Sequence, residues 1–118
     1  MTIEEVRKEL EDLIAEENRE LRSLDYGEDV DGNPVYEPWQ YAFEKGVCMR
    51  IASGLIDLQD ILGNSLLTEA EIREQFNAKA DELLKRWESA GKKEDYPEGY
   101  RHVSARILDI RCRFGMSV

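Results

Sequence analysis

The chain of 118 residues is 36% charged and 42% apolar and carries a net charge of −10. That length suits one domain, and the composition is too apolar for a disordered chain and too charged for a membrane protein. The acid excess leaves no cluster of lysine and arginine to neutralise phosphate, so direct nucleic-acid binding is not expected. No apolar run nears the roughly 20 residues of a membrane span. The opening MTIEEVRKEL has no signal-like apolar stretch, so a cytoplasmic protein with no membrane partner is expected.

The first element opens on Thr2-Ile3-Glu4-Glu5, the pattern of a capping box in which a threonine hydroxyl and a glutamate satisfy each other's backbone amides. Ile3, Val6, Leu10, Leu13, Ile14, Leu21 and Leu24 then recur at helical spacing, which predicts a helix ending near Leu24. Glu17 falls inside that stripe, where a carboxylate costs free energy unless it is paired or coordinated. An arginine partner is expected for it, either Arg50 or one of the C-terminal arginines.

Asp25–Pro38 reads DYGEDVDGNPVYEP and carries −5 with no base, whereas Lys92–Val118 is net +2. Asp31-Gly32 between β-branched residues predicts a short hairpin or ordered turn. An EF-hand register through Gly32 puts Gly27 and Pro38 where oxygen ligands belong, so it fails.

A second helix is expected from near Pro38 to Leu62, before Gly63-Asn64. Its apolar arc contains Val47, Cys48, Ile51, Leu55, Leu58, Ile61 and Leu62, with Ile56 at one edge, which marks it as the central helix. Gly46 and Gly54 inside it each cost about 1 kcal/mol relative to alanine. They imply close helix approach or, at Gly46, a kink. Arg50 is expected to pair with Asp57 on the polar side.

Thr68-Glu69-Ala70-Glu71 is a second capping box, with Leu67 placed to staple onto Ile72. Ile72, Phe76, Ala80, Leu83, Leu84 and Trp87 form the stripe of a third helix, which Gly91 is expected to close. A fourth runs from about Glu98 to Phe114, with Tyr100, Val103, Ile107, Ile110 and Phe114 on one face. His102, Arg106, Asp109 and Arg113 lie on the neighbouring face. His102 has no nucleophile or metal ligands in sequence reach and reads as a surface residue. Cys48 and Cys112 read as buried free thiols. The expectation is an all-α bundle of four main helices in a single domain, 1–118, with a short hairpin-like acidic insert after the first helix.

The run Leu13 to Leu21, with Glu16, Glu17 and Glu20, resembles the Glu-Glu-x-x-Glu helix of MazG-like all-α nucleoside triphosphate pyrophosphatases. The stretch matching that family's next motif supplies Asp57 but has Ser53 and Gly54 where acids stand in the family. Lys79 and Arg86-Trp87 resemble its Lys/Arg helix. The resemblance implies a helical fold and a magnesium ion held by Glu16, Glu17, Glu20 and Asp57. The missing acid pair points toward a non-catalytic protein or a catalytically dead relic, since divalent ions on phosphate need most of those carboxylates.

The residues offer no Ser/His/Asp set, phosphate loop or zinc spacing. The leading expectation is therefore a small acidic protein-binding module that needs no cofactor. It would act as a regulator or inhibitor on a basic partner surface, through Glu28, Asp29, Asp31, Tyr36, Glu37 and Trp39. A magnesium-dependent pyrophosphohydrolase and a structural subunit of a helical homo-oligomer are the alternatives.

Overall fold

Both sequence capping boxes start helices. The Thr2 and Glu5 side chains exchange bonds of 3.1 Å with each other's amides, and Thr68 with Glu71 does the same at 3.2 Å. The computed structural model describes residues 1–25 and 38–115. Its elements are α1 (Ile3–Asp25), α2 (Pro38–Leu62), α3 (Glu69–Lys93) and α4 (Glu98–Gly115). The hairpin-like insert, with Glu28, Asp29, Asp31, Tyr36 and Glu37, lies outside the described residues. Among the described residues, no helix is long and apolar enough to cross a membrane.

The short α2–α3 and α3–α4 connections force antiparallel neighbours. Gln59 of α2 donates to the Arg7 carbonyl near the start of α1, so that pair is antiparallel as well. Arg73 near the start of α3 donates to the carbonyls of Phe114 (2.8 Å) and Met1 (3.2 Å). Its guanidinium also lies 4.3 Å from the centre of the Phe114 ring. One arginine thus ties α1, α3 and α4 together at one end of an up-down-up-down bundle. The core is apolar and contributed by all four helices: Leu10 and Leu13, Ile51, Leu55 and Leu58, Phe76, Leu83 and Trp87, Ile107, Ile110 and Phe114 are buried. Phe76 and Phe114 meet edge to face at 5.1 Å, a favoured aromatic geometry.

α2 runs unbroken through both of its internal glycines. Gly54 is where α2 lies on α3, because a Cβ there would come within 2.9 Å of Leu83 and of Trp87. At Gly46 an added Cβ would meet only the end of Arg50, at 3.7 Å, so that glycine neither kinks the helix nor admits a neighbour.

Three expectations are corrected here. Gly91 does not end α3, which continues to Lys93; Gly91 is buried against Pro97 instead. The terminus is a Schellman turn, with bonds from Tyr96 N–H to the Gly91 carbonyl and from Asp95 N–H to the Lys92 carbonyl. Asp95 holds the left-handed position at φ 53°, a role that short polar residues tolerate. Cys112 is exposed, and only Cys48 is buried. Two residues from both Ile110 and Phe114, Cys112 is rotated about 200° away from the buried stripe. Arg50 does not pair with Asp57: it bonds Glu94 and donates to the Tyr100 hydroxyl at 2.6 Å. Two helical turns separate the expected partners by about 10 Å, and each finds a nearer group, Asp57 taking Lys79 of α3 at 3.8 Å.

Candidate functional site: an acidic cleft at one end of the bundle

At the end opposite Arg73, the last three turns of α1, the first half of α2, the α3–α4 connection and the first turns of α4 line a cleft of about 790 Å³. α1 supplies Glu16, Glu17, Arg19 and Glu20, α2 supplies Glu44, the connection supplies Tyr96 and α4 supplies His102. A smaller recess of about 210 Å³ shares five of these walls and adds Cys48 and Glu98. The helix stripe explains why acid lies so deep. Glu17 sits four residues after Leu13 and seven before Leu24, both buried, so its side chain enters the bundle on the same face.

Glu17 is 3% exposed and the only buried charged residue among those described. No arginine meets it. His102 Nε2 lies 3.1 Å from its Oε1; with the proton on Nε2, the ring donates to the carboxylate. The expectation of an arginine partner is thereby corrected. Arg50 faces the α3–α4 connection, Arg106 takes Glu16 at 3.1 Å and Arg113 takes Glu9 at 3.1 Å. His102 is therefore more than a surface residue, although half its side chain is exposed.

Burial pushes the Glu17 carboxyl above its ordinary range, and hydrogen bonds from His102 and Cys48 partly offset this. The cleft's charge also acts on its neutral walls. The Cys48 thiol is pushed up to about 12 by burial and then by the charges of Glu17, Glu20 and Glu44. The Tyr96 hydroxyl is pushed up to about 12 by burial and by bonding Glu44, with Glu98 and Glu20 adding to it. A thiol held there is not a nucleophile at neutral pH, and both groups register a negative potential that favours cations. Tyr96 is held over α4 because position 99 is glycine: a Cβ there would lie 2.2 Å from the Tyr96 ring. Its ring also meets Phe43 of α2 edge to face at 5.3 Å.

Of the residues that the pyrophosphatase resemblance implies, Glu16, Glu17 and Glu20 line the cleft together. Asp57 does not join them. It lies nearer the other end of α2, at the level of Lys79. Among the described residues, no group of three or more His, Cys, Asp or Glu side chains is arranged to hold a metal ion. Trp39 falls in the first turn of α2.

Glu44, Tyr96 and His102 were not singled out as site residues in the sequence. One signal was present. Glu9 and Glu16 are seven residues apart, as are Arg106 and Arg113, and that mirrored spacing marks opposite charges facing each other on antiparallel helices. Aligning them sets His102 opposite Glu20, one turn from Glu17.

Comparison with protein-family models, with curated proteins and with solved structures gives no match to this chain.

Proposed function

We propose that the protein is a non-catalytic acidic binding module whose cleft takes a basic side chain from the surface of a partner protein, in the manner of a regulator or inhibitor. The observation that carries this reading is the Glu17 carboxylate, kept in the bundle interior at the floor of an open cleft with a half-exposed histidine as its one ion-pair partner among the described residues. A structural role alone would favour an apolar residue or a closed ion pair at that position, because an incompletely compensated buried charge costs stability. Glu20 and Glu44 add charge above it, and Tyr96 offers an aromatic wall of the kind that receives guanidinium and ammonium groups.

The test is binding of an arginine-glycine repeat peptide, followed by calorimetry at low and high salt. Binding that weakens with salt, and that falls at least about tenfold in the E17Q/E20Q/E44Q triple variant, is expected. Equal binding by the triple variant would remove the cleft from the interface.

One observation favours a second reading. The three acids of the helix that resembles the pyrophosphatases share one cleft. With Asp57 elsewhere, no pyrophosphate release from nucleoside triphosphates is expected with magnesium or manganese. Release that disappears in E17Q would replace the binding module with the enzyme.

A further inference from the structure

α3 and α4 are antiparallel, and the Arg111–Asp81 bridge at 3.0 Å fixes their register. That register sets Leu84 against Leu108, Glu88 against Ser104 and Lys92 against Arg101, about one helical turn apart. Along this line the two helices form an open groove of about 530 Å³, within the size range of small-molecule sites. Leu84 and Leu108 border one end, and the buried Trp87 and Tyr100 lie beneath. Leu108 is 51% exposed, so the fold leaves that apolar end uncovered.

The opposite end is basic, with Arg101 and Lys92 facing each other across it. Lys92 is held by Glu88 at 3.2 Å. Arg101 differs from the other arginines of its helix. Arg106 takes Glu16, Arg111 takes Asp81 and Arg113 takes Glu9, whereas Arg101 has no ion pair among the described residues. The chain has 26 acids against 16 lysines and arginines, so this guanidinium is not left over for want of carboxylates.

We infer that the groove binds an amphiphile with a straight apolar chain and an anionic head, the chain lying over Trp87 toward Leu108 and the head meeting Arg101 and Lys92. Charge selects this guest. The groove carries two cations and one carboxylate, and that carboxylate is already taken by Lys92. A guanidinium with free donors takes a carboxylate through two parallel bonds. Length selects it too. From Leu84 to Lys92 the helix rises about 12 Å, a distance that a straight chain of about ten carbons covers. The Arg111–Asp81 bridge crosses between the helices one turn beyond Leu84 and Leu108, so a longer chain meets a closed ion pair. The groove shares no lining residue with the acidic cleft: His102, which lines the cleft, is rotated about 100° from Arg101. The inference is therefore independent of what the cleft binds.

The probe is decanoate, kept below its micellar range at neutral pH, where its carboxyl is ionised. Calorimetry gives the affinity, and backbone amide shifts of the full chain give the place. Amides of residues 84–92 and 100–108 are expected to move, and those of residues 16–20 to stay. R101E is expected to weaken binding at least about fivefold, the usual size of an exposed ion pair, and R101K to keep most of it. L108Q is expected to weaken binding about threefold or more through lost apolar contact. Both positions are exposed, so these variants are not expected to unfold the bundle. Decyltrimethylammonium, with the same chain and the opposite charge, is expected to leave the groove amides unmoved. Decanoate that moves no groove amide would overturn the proposal. Equal binding by R101E, or groove shifts as large with decyltrimethylammonium as with decanoate, would overturn it by removing the role of the head group. A sedimentation coefficient that rises with protein concentration in wild type and not in L108Q would place a second copy of the chain on the groove, and would overturn it as well.

Discussion

The α2–α3 contact and the α1–α4 seam are built on different physics. At the first, Gly54 lets Leu83 and Trp87 approach to distances that exclude even a methyl group, and the surroundings are apolar and buried. At the second, the helices stand farther apart, and charged side chains span the gap from Glu9–Arg113 to Glu17–His102. The first interface is specified by volume, where a single added or missing methylene is felt. The second is specified by charge, where exposed pairs are worth little individually. The bundle thus has a stiff, stability-determining side and a polar side whose residues are free to serve recognition.

Removing volume from the first side should have the largest effect. Trp87→Ala is expected to destabilise the protein by about 3–5 kcal/mol, read from the urea midpoint, because the residue is 1% exposed, belongs to the core cluster and sets its ring against Gly54 of α2. Adding volume there comes next. Gly54→Ala should cost about 1–2 kcal/mol in the same measurement, overpacking against Leu83 and Trp87 outweighing the gain in helix propensity. A stabilised Gly54→Ala variant would mean that α2 and α3 do not approach as described.

Glu17→Gln is expected to act in the opposite sense. Burial holds this carboxyl above its ordinary range, so the folded state binds its proton more tightly than the unfolded chain does. That contribution is present below the ordinary carboxylate range and is lost as pH rises through the raised value. The variant should therefore gain on wild type as pH rises from about 4 to about 7.5. Paired thermal melts at the two pH values check the sign. The smallest effect belongs to the middle of the seam. A double-mutant cycle on Glu16 and Arg106, both a little over 40% exposed, should give a coupling of about 0.5 kcal/mol that fades with salt.

The volume-specified side was legible in the sequence. The stripes through Ile72, Phe76, Ala80, Leu83 and Trp87 and through Tyr100, Val103, Ile107, Ile110 and Phe114 are buried as their spacing requires, and both capping boxes form. Glu17 stood out as an acid on an apolar stripe for the same reason. Its partner did not, because pairing across the seam depends on the relative rotation and offset of α1 and α4, which periodicity within one helix does not contain. Arg50 illustrates the same gap. Its helical face was readable, but that Glu94 and Tyr100 reach it depends on how the α3–α4 connection folds back. Cys112 was misplaced by treating an apolar segment as uniformly buried, when its own stripe rotates it outward. The expected interface residues of the acidic insert fall outside the described residues, and the cleft is built by side chains of the helices themselves.

The most direct test of the division between a packed side and a recognition side is the urea unfolding free energy of the E17Q/E20Q/E44Q triple variant at about pH 7.5, where the replaced carboxylates would otherwise repel one another and desolvate. Stability equal to or above that of wild type is the expected result, since these charges are held in the cleft at a cost to the fold. A loss of more than about 1 kcal/mol would mean that the cleft carboxylates hold the bundle together, and would contradict their assignment to recognition.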